Sequence, residues 1–192
     1  MKSNIYRFNI KYGGFENEIW RTIDITDSST VAKLAYTIMA LFNTNANHLY
    51  EIEYNGICYS FNPEEPSENK PEETRLRKLM LDINSKLHMI YDYGYEQHFI
   101  VELIDIWEMD KGTGTKYPHV VDGAGYGIID DMPSDILLEN LKKHTDSSPI
   151  TYFDIDGSIC EYYINNFSLE ECNRKLKSLL PLITFSYSNP DY

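Results

Sequence analysis

Apolar and polar residues alternate at period 2 through Tyr6-Arg7-Phe8-Asn9-Ile10-Lys11-Tyr12, stop at Gly13-Gly14, and resume from Glu18 to Ile25. Two such runs about a glycine pair predict a β-hairpin. The period then lengthens. Val31, Leu34, Ala35, Ile38, Leu41 and Phe42 recur every three or four residues, so they share one stripe of a helix near residues 29–43, with Ser28 or Ser29 available as its cap. Alternation returns in Leu49–Tyr54 and Ile57–Phe61, and the Asn55-Gly56 pair between them accepts the positive φ that a type I′ turn requires.

From Asn62 to Glu73 the chain has three prolines, five glutamates and no large apolar residue, which predicts an exposed, mobile acidic loop over about 62–74. Leu76, Leu79, Met80 and Ile83 suggest a short helix, and strands are expected from Lys86 to Tyr93 and from His98 to Glu108. Residues 110–133, rich in Gly, Pro and Asp, are expected to form an irregular loop. Helical spacing resumes over 134–144. Residues 152–158 look like a turn between extended pieces, and the capping box at Ser168-Leu169-Glu170-Glu171 opens a helix over 168–179 with Leu169, Cys172, Leu176 and Leu179 facing inward. Hairpins alternating with amphipathic helices give an α+β fold: a mixed, mainly antiparallel sheet with packed helices, in a single domain spanning 1–192.

Composition narrows the function classes. A formal charge of −13 would repel a phosphate backbone, so nucleic acid is not an expected partner. The apolar runs fall far short of the roughly 20 residues of a membrane span, and the N-terminus lacks the apolar block of a secretory leader. Cys58, Cys160 and Cys172 are odd in number and widely spaced, which favours free thiols over a disulfide framework and points to the cytoplasm.

The residue types that divalent-metal or acid–base chemistry requires occur at expected strand ends and loops: His48, Asp92, His98, Asp122, Asp130 and Asp131. No close histidine pair or H-E-x-x-H spacing accompanies them, so no metal or cofactor is assigned. Asp154-Ile155-Asp156-Gly157 lacks the late glutamate of a calcium loop, and Gly112-Thr113-Gly114-Thr115-Lys116 lacks the spacing of a phosphate loop. The 16 tyrosines could fill a sheet face or build a recognition surface.

The strings EIWRTIDI, HLYEIEYNGICYSF, MIYDYGYEQHFIVEL, YPHVVDGAGYGIIDD and FSLEECNRKL follow one another in an order that resembles the plasmid pRiA4b open-reading-frame-three-like family, from Tyr6 to about Leu176. Ile19-Trp20-Arg21, His48-Leu49, Tyr91-Asp92-Tyr93-Gly94, and Tyr117-Pro118 with Asp122-Gly123 match its pattern. Gly127-Ile128-Ile129-Asp130-Asp131 stands where the family has Cys-Pro-Pro-Glu-Asp, so the carboxylate pair survives and the thiol does not. The resemblance implies an antiparallel sheet with packed helices and an association with plasmids or mobile elements, and it adds Tyr93 and Tyr117 to the candidate cleft. With no assembled catalytic motif, the expected role is a non-enzymatic protein-interaction module whose partner is unknown; the alternative is a metal-dependent hydrolase using His98 with Asp122, Asp130 or Asp131.

Overall fold

The computed structural model describes residues 3–62, 68–110, 112–113, 116–143, 149–153 and 157–189. The first period-2 run becomes β1 (Asn4–Tyr12), antiparallel to β2 (Trp20–Thr26). The second hairpin joins β3 (Tyr50–Tyr54) to β4 (Ile57–Phe61) through Asn55 and Gly56, at φ 51° and 76° as a type I′ turn demands. With β5 (Lys86–Tyr91), β6 (Gln97–Glu108) and β7 (His119–Ala124) these strands form one sheet in the order β4-β3-β5-β6-β1-β2-β7, every pair antiparallel. β8 (Ile150–Phe153) and β9 (Ile159–Tyr162) make a separate two-stranded ribbon.

Helix α1 (Val31–Leu41) buries every residue except Lys33, more than a stripe against one sheet explains. It is a middle layer. Phe42 at its end meets Phe99 of β6 at 4.9 Å, while Tyr36 stacks on Tyr187 of α3 (Leu169–Ser188) at 5.1 Å on the other side. Tyr187 also packs edge-on to Tyr50 and Phe61. Among the described residues eight tyrosines are buried in this core, so much of the tyrosine excess serves packing. The third helix, α2 (Ser134–Lys143), buries only Leu137 and Leu141.

Several expectations need correction. The cap of α1 is Thr30, whose Oγ1 accepts the Lys33 N–H at 3.1 Å, because Ser28 and Ser29 are occupied with the Thr26 hydroxyl. Met80 and Ile83 are exposed and only a 3₁₀ turn, Leu76–Leu79, forms. Within 110–133 the chain builds β7 after the cis Tyr117–Pro118 bond, because the open edge of β2 supplies partners for His119–Ala124. Leu169 is 42% exposed, and α3 continues past residue 179 through Pro181 to Ser188. An internal proline costs a helix about 3 kcal/mol; burial of Ile183 and Tyr187 opposes that cost, and the Pro181 ring itself faces solvent.

Of the acidic segment at 62–74, residues 63–67 lie outside the described residues, as do Asp154, Ile155 and Asp156 of the expected turn and Gly114 and Thr115 of the glycine-threonine run. The end of the acidic segment is pinned rather than loose: Pro71 is buried and its carbonyl accepts the Ala32 N–H at 3.0 Å, while Thr74 O accepts the Val31 N–H at 2.8 Å. At the β7 edge of the sheet the Asn173 side chain of α3 bonds both the N–H and the carbonyl of Val120, at 3.0 Å each.

Candidate functional site

Three chain segments meet at one end of the sheet. The first leaves α1 through Asn43 and Ala46, both at positive φ (63° and 53°), and delivers His48 to the start of β3. The second is the turn after β5, where Asp92 (φ 62°) donates its N–H to Leu49 O at 2.9 Å and accepts the Gly94 N–H on its own Oδ1 at 2.9 Å. The third runs from β7 into α2: Ile128 N–H bonds Phe42 O at 2.9 Å, and Asp131 adopts φ 59°. Left-handed non-glycine residues gather here because each segment must reverse direction within a few residues.

Arg21 anchors the third segment from beneath. It is 1% exposed, and its two terminal nitrogens donate to the carbonyls of Trp20, Ala124, Gly125 and Tyr126. Its plane lies over the rings of Phe42 and Phe167 at 5.2 and 4.9 Å. Asn43 Nδ2 adds a second donor to Tyr126 O at 2.7 Å, and Tyr162 OH donates to Gly127 O at 2.7 Å. Gly127 itself has no alternative: at φ 132°, a Cβ there would stand 2.7 Å from Phe42 O.

The polar groups so positioned form a cluster. His48 Nε2 lies 2.9 Å from Asp131 Oδ1, and its Nδ1 lies 3.7 Å from Asp92 Oδ1. Asp130 Oδ2 accepts the Asn45 N–H and, at 3.0 Å, the Tyr91 hydroxyl; Asn45 Nδ2 reaches Asp131 Oδ2 at 3.3 Å. One ligand atom from each of His48, Asp130 and Asp131 falls within 4.8 Å of the others. Tyr187 OH donates to His48 O from α3. Burial raises the Asp130 pKa against the pull of its hydrogen bonds, and burial together with the Asp130 charge raises that of Tyr91.

Beside the cluster opens a cleft of about 410 Å³ between the Ile129–Pro133 segment, Ile136 of α2 and Thr151–Phe153 of β8. Its surface is mainly apolar, lined by Ile136 and Phe153, which are 47% and 74% exposed, and also by Asp130 and Asp131.

The expected site residues divide accordingly. His48, Asp92, Asp130 and Asp131 are brought together. His98 is adjacent in sequence to Gln97, whose Nε2 donates to Met132 O at 2.8 Å, but the pleat turns His98 to the opposite, exposed face beside Gly13 and Glu96. Tyr93 points to Glu51, to which its hydroxyl donates at 3.2 Å; Tyr117 packs on His119 at 5.2 Å; Asp122 sits on β7 opposite Thr22 and accepts the next N–H, from Gly123. The supporting residues that sequence reasoning passed over are Asn45, Tyr91 and Tyr187, together with the positioning role of Arg21. Tyr91 and Arg21 stood inside quoted motifs, whereas nothing local marked Asn45 or Tyr187.

The sequence profile of the plasmid pRiA4b ORF-3-like proteins matches residues 4–168. The chain belongs to the plasmid pRiA4b ORF-3-like protein family. The match to this family ends at Ser168, the cap of α3, so it contains the three segments of the site but not Tyr187. No curated protein matches the chain. Among solved structures, it is similar to a protein of unknown function, MM3350 from Methanosarcina mazei Go1, at 20% identity and a TM-score of 0.60 over 75% of this chain and 84% of that one. That likeness shows a shared fold. No helix among the described residues is long and apolar enough to cross a membrane.

Proposed function

We propose that this member of the pRiA4b ORF-3-like family is a non-enzymatic protein-interaction module, and that its cleft takes a partner segment carrying exposed apolar side chains next to a lysine or arginine. The supporting observation is the pairing of an apolar cleft with carboxylates at its side: Ile136 and Phe153 give apolar walls, and Asp130 and Asp131 give a negative edge in a chain of charge −13. Among the described residues, Asp92 and Asp131 have only His48 as an ion-pair partner, and Asp130 is held by neutral donors, so the edge keeps negative charge for a ligand. Three free cysteines fit a reducing compartment, which makes a cytoplasmic partner part of the reading. The family takes its name from a plasmid reading frame, which supports a partner belonging to a plasmid or other mobile element.

Selection of peptides displayed on phage against the purified chain tests this. Enriched sequences are expected to pair aromatic or aliphatic residues with Lys or Arg, and their affinity is expected to fall on Phe153→Asp and on Asp131→Asn. Enrichment without that pattern, or affinity unchanged in both variants, would refute it. The hydrolase alternative draws little support from His98 and Asp122, whose contacts lie elsewhere on the sheet.

A further inference from the structure

Beyond partner binding, we propose that His48, Asp130 and Asp131 form a binding site for one divalent transition-metal ion of the zinc or manganese class, with Asp92 positioning the imidazole. Donors bound to one ion at about 2.1 Å stand roughly 3 to 4 Å apart. One pair, His48 Nε2 and Asp131 Oδ1, is separated by 2.9 Å, and a ligand atom from Asp130 completes a group contained within 4.8 Å. An ion seated among them therefore needs only small side-chain adjustments. One imidazole with two carboxylates is a borderline donor set, suited to zinc or manganese; calcium and magnesium prefer oxygen alone.

The surroundings carry the second half of the argument. The other imidazole nitrogen, Nδ1, lies 3.7 Å from Asp92 Oδ1, longer than a hydrogen bond but within ion-pair reach, so a carboxylate stands behind the histidine where a small approach would fix the ring of a metal-bound histidine. Asp130 is supported through Oδ2 by the Asn45 N–H and by Tyr91 OH, which restrict its carboxylate orientation. Asn45 Nδ2 does the same for Asp131 Oδ2. His48 is itself fixed through its backbone by Tyr187 OH. Three carboxylates thus surround one imidazole, and among the described residues no lysine or arginine pairs with any of them. A divalent cation supplies the missing charge. It would share Asp131 with the basic residue of the proposed partner, so metal and partner compete, but the ion site does not depend on that partner.

Zinc titrated into chelator-stripped chain, followed by calorimetry, tests the site without any peptide present. One equivalent is expected to bind, at least about tenfold more weakly in Asp92→Asn and undetectably in His48→Ala and Asp131→Asn. His98→Ala, which removes an exposed histidine whose contacts are Gly13 and Glu96 on the opposite face of the strand, is expected to bind as the parent does. Manganese bound to the parent should show nitrogen coupling in its electron-spin-echo spectrum, lost in His48→Ala. Near-ultraviolet circular dichroism confirms that each variant is folded. The proposal is overturned if folded parent chain binds no zinc up to about 1 mM, if binding survives both His48→Ala and Asp131→Asn, or if it follows His98.

Discussion

Arg21 offers the sharpest test of how the site is held. Its guanidinium lies 1% exposed with, among the described residues, no carboxylate beside it, and it satisfies backbone carbonyls that the β2–β7 pairing leaves over. Arg21→Met removes the donors to Trp20, Ala124 and Gly125 while Tyr126 O keeps Asn43 Nδ2. Each orphaned buried acceptor costs about 1 to 3 kcal/mol, and each lost ring contact, over Phe42 and Phe167, costs about 1 kcal/mol. Against these stands relief from desolvating the guanidinium, a penalty of several kcal/mol, which also lowers the Arg21 pKa and leaves Nε without a partner. A net loss of about 2 to 4 kcal/mol is expected, read from urea unfolding followed by circular dichroism. Arg21→Lys decides the cause. If charge alone mattered, lysine would restore stability; because one ammonium cannot span the four carbonyls, it should remain at least about 2 kcal/mol below the parent. A lysine variant within about 0.5 kcal/mol of the parent would refute the reasoning.

Other consequences are open to the same measurements. The folded-state pKa of Asp130 is raised by burial, so its ionisation opposes folding: the penalty is complete above the folded pKa and vanishes below the ordinary carboxylate value. Asp130→Asn, whose Oδ1 can still accept from Asn45 and Tyr91, should therefore be more stable than the parent at pH 7, with the gap closing as pH falls toward about 4. An unchanging gap across that range would contradict it. Gly127→Ala should destabilise by about 2 kcal/mol, since its Cβ meets Phe42 O at 2.7 Å and must adopt φ 132°; thermal unfolding checks this. The Cys58 thiol is pushed up to about 11 by burial and by Glu51, so its alkylation by iodoacetamide at pH 8 should be slow and should quicken in Glu51→Gln.

What the sequence disclosed followed range of interaction. The β1–β2 and β3–β4 hairpins and α1 were legible because their signals are local: period 2, Asn55-Gly56, and a three-to-four repeat. Strand β7 was hidden because Gly123 and Pro118 argue against a strand until the edge of β2 is known to lie beside it. The far half of α3 was hidden in the same way, its reason being the distant Tyr36 and Tyr50. His48, Asp92 and Asp131 could be named as chemically capable residues, but their meeting depends on three reversals of the chain. The pleat that sends His98 away from Met132, to which its neighbour Gln97 bonds, is a one-residue matter of register that no composition argument resolves.

The bond pair from Asn173 to Val120 has a consequence for solubility. β7 is the last strand of the sheet, and its outward backbone groups would otherwise invite a strand from another molecule. A single carboxamide from α3 occupies the donor and acceptor of Val120 as a neighbouring peptide group would, so the sheet ends on a side chain. Loss of that amide in Asn173→Ala should promote self-association through this border at high concentration, with little change in the interior.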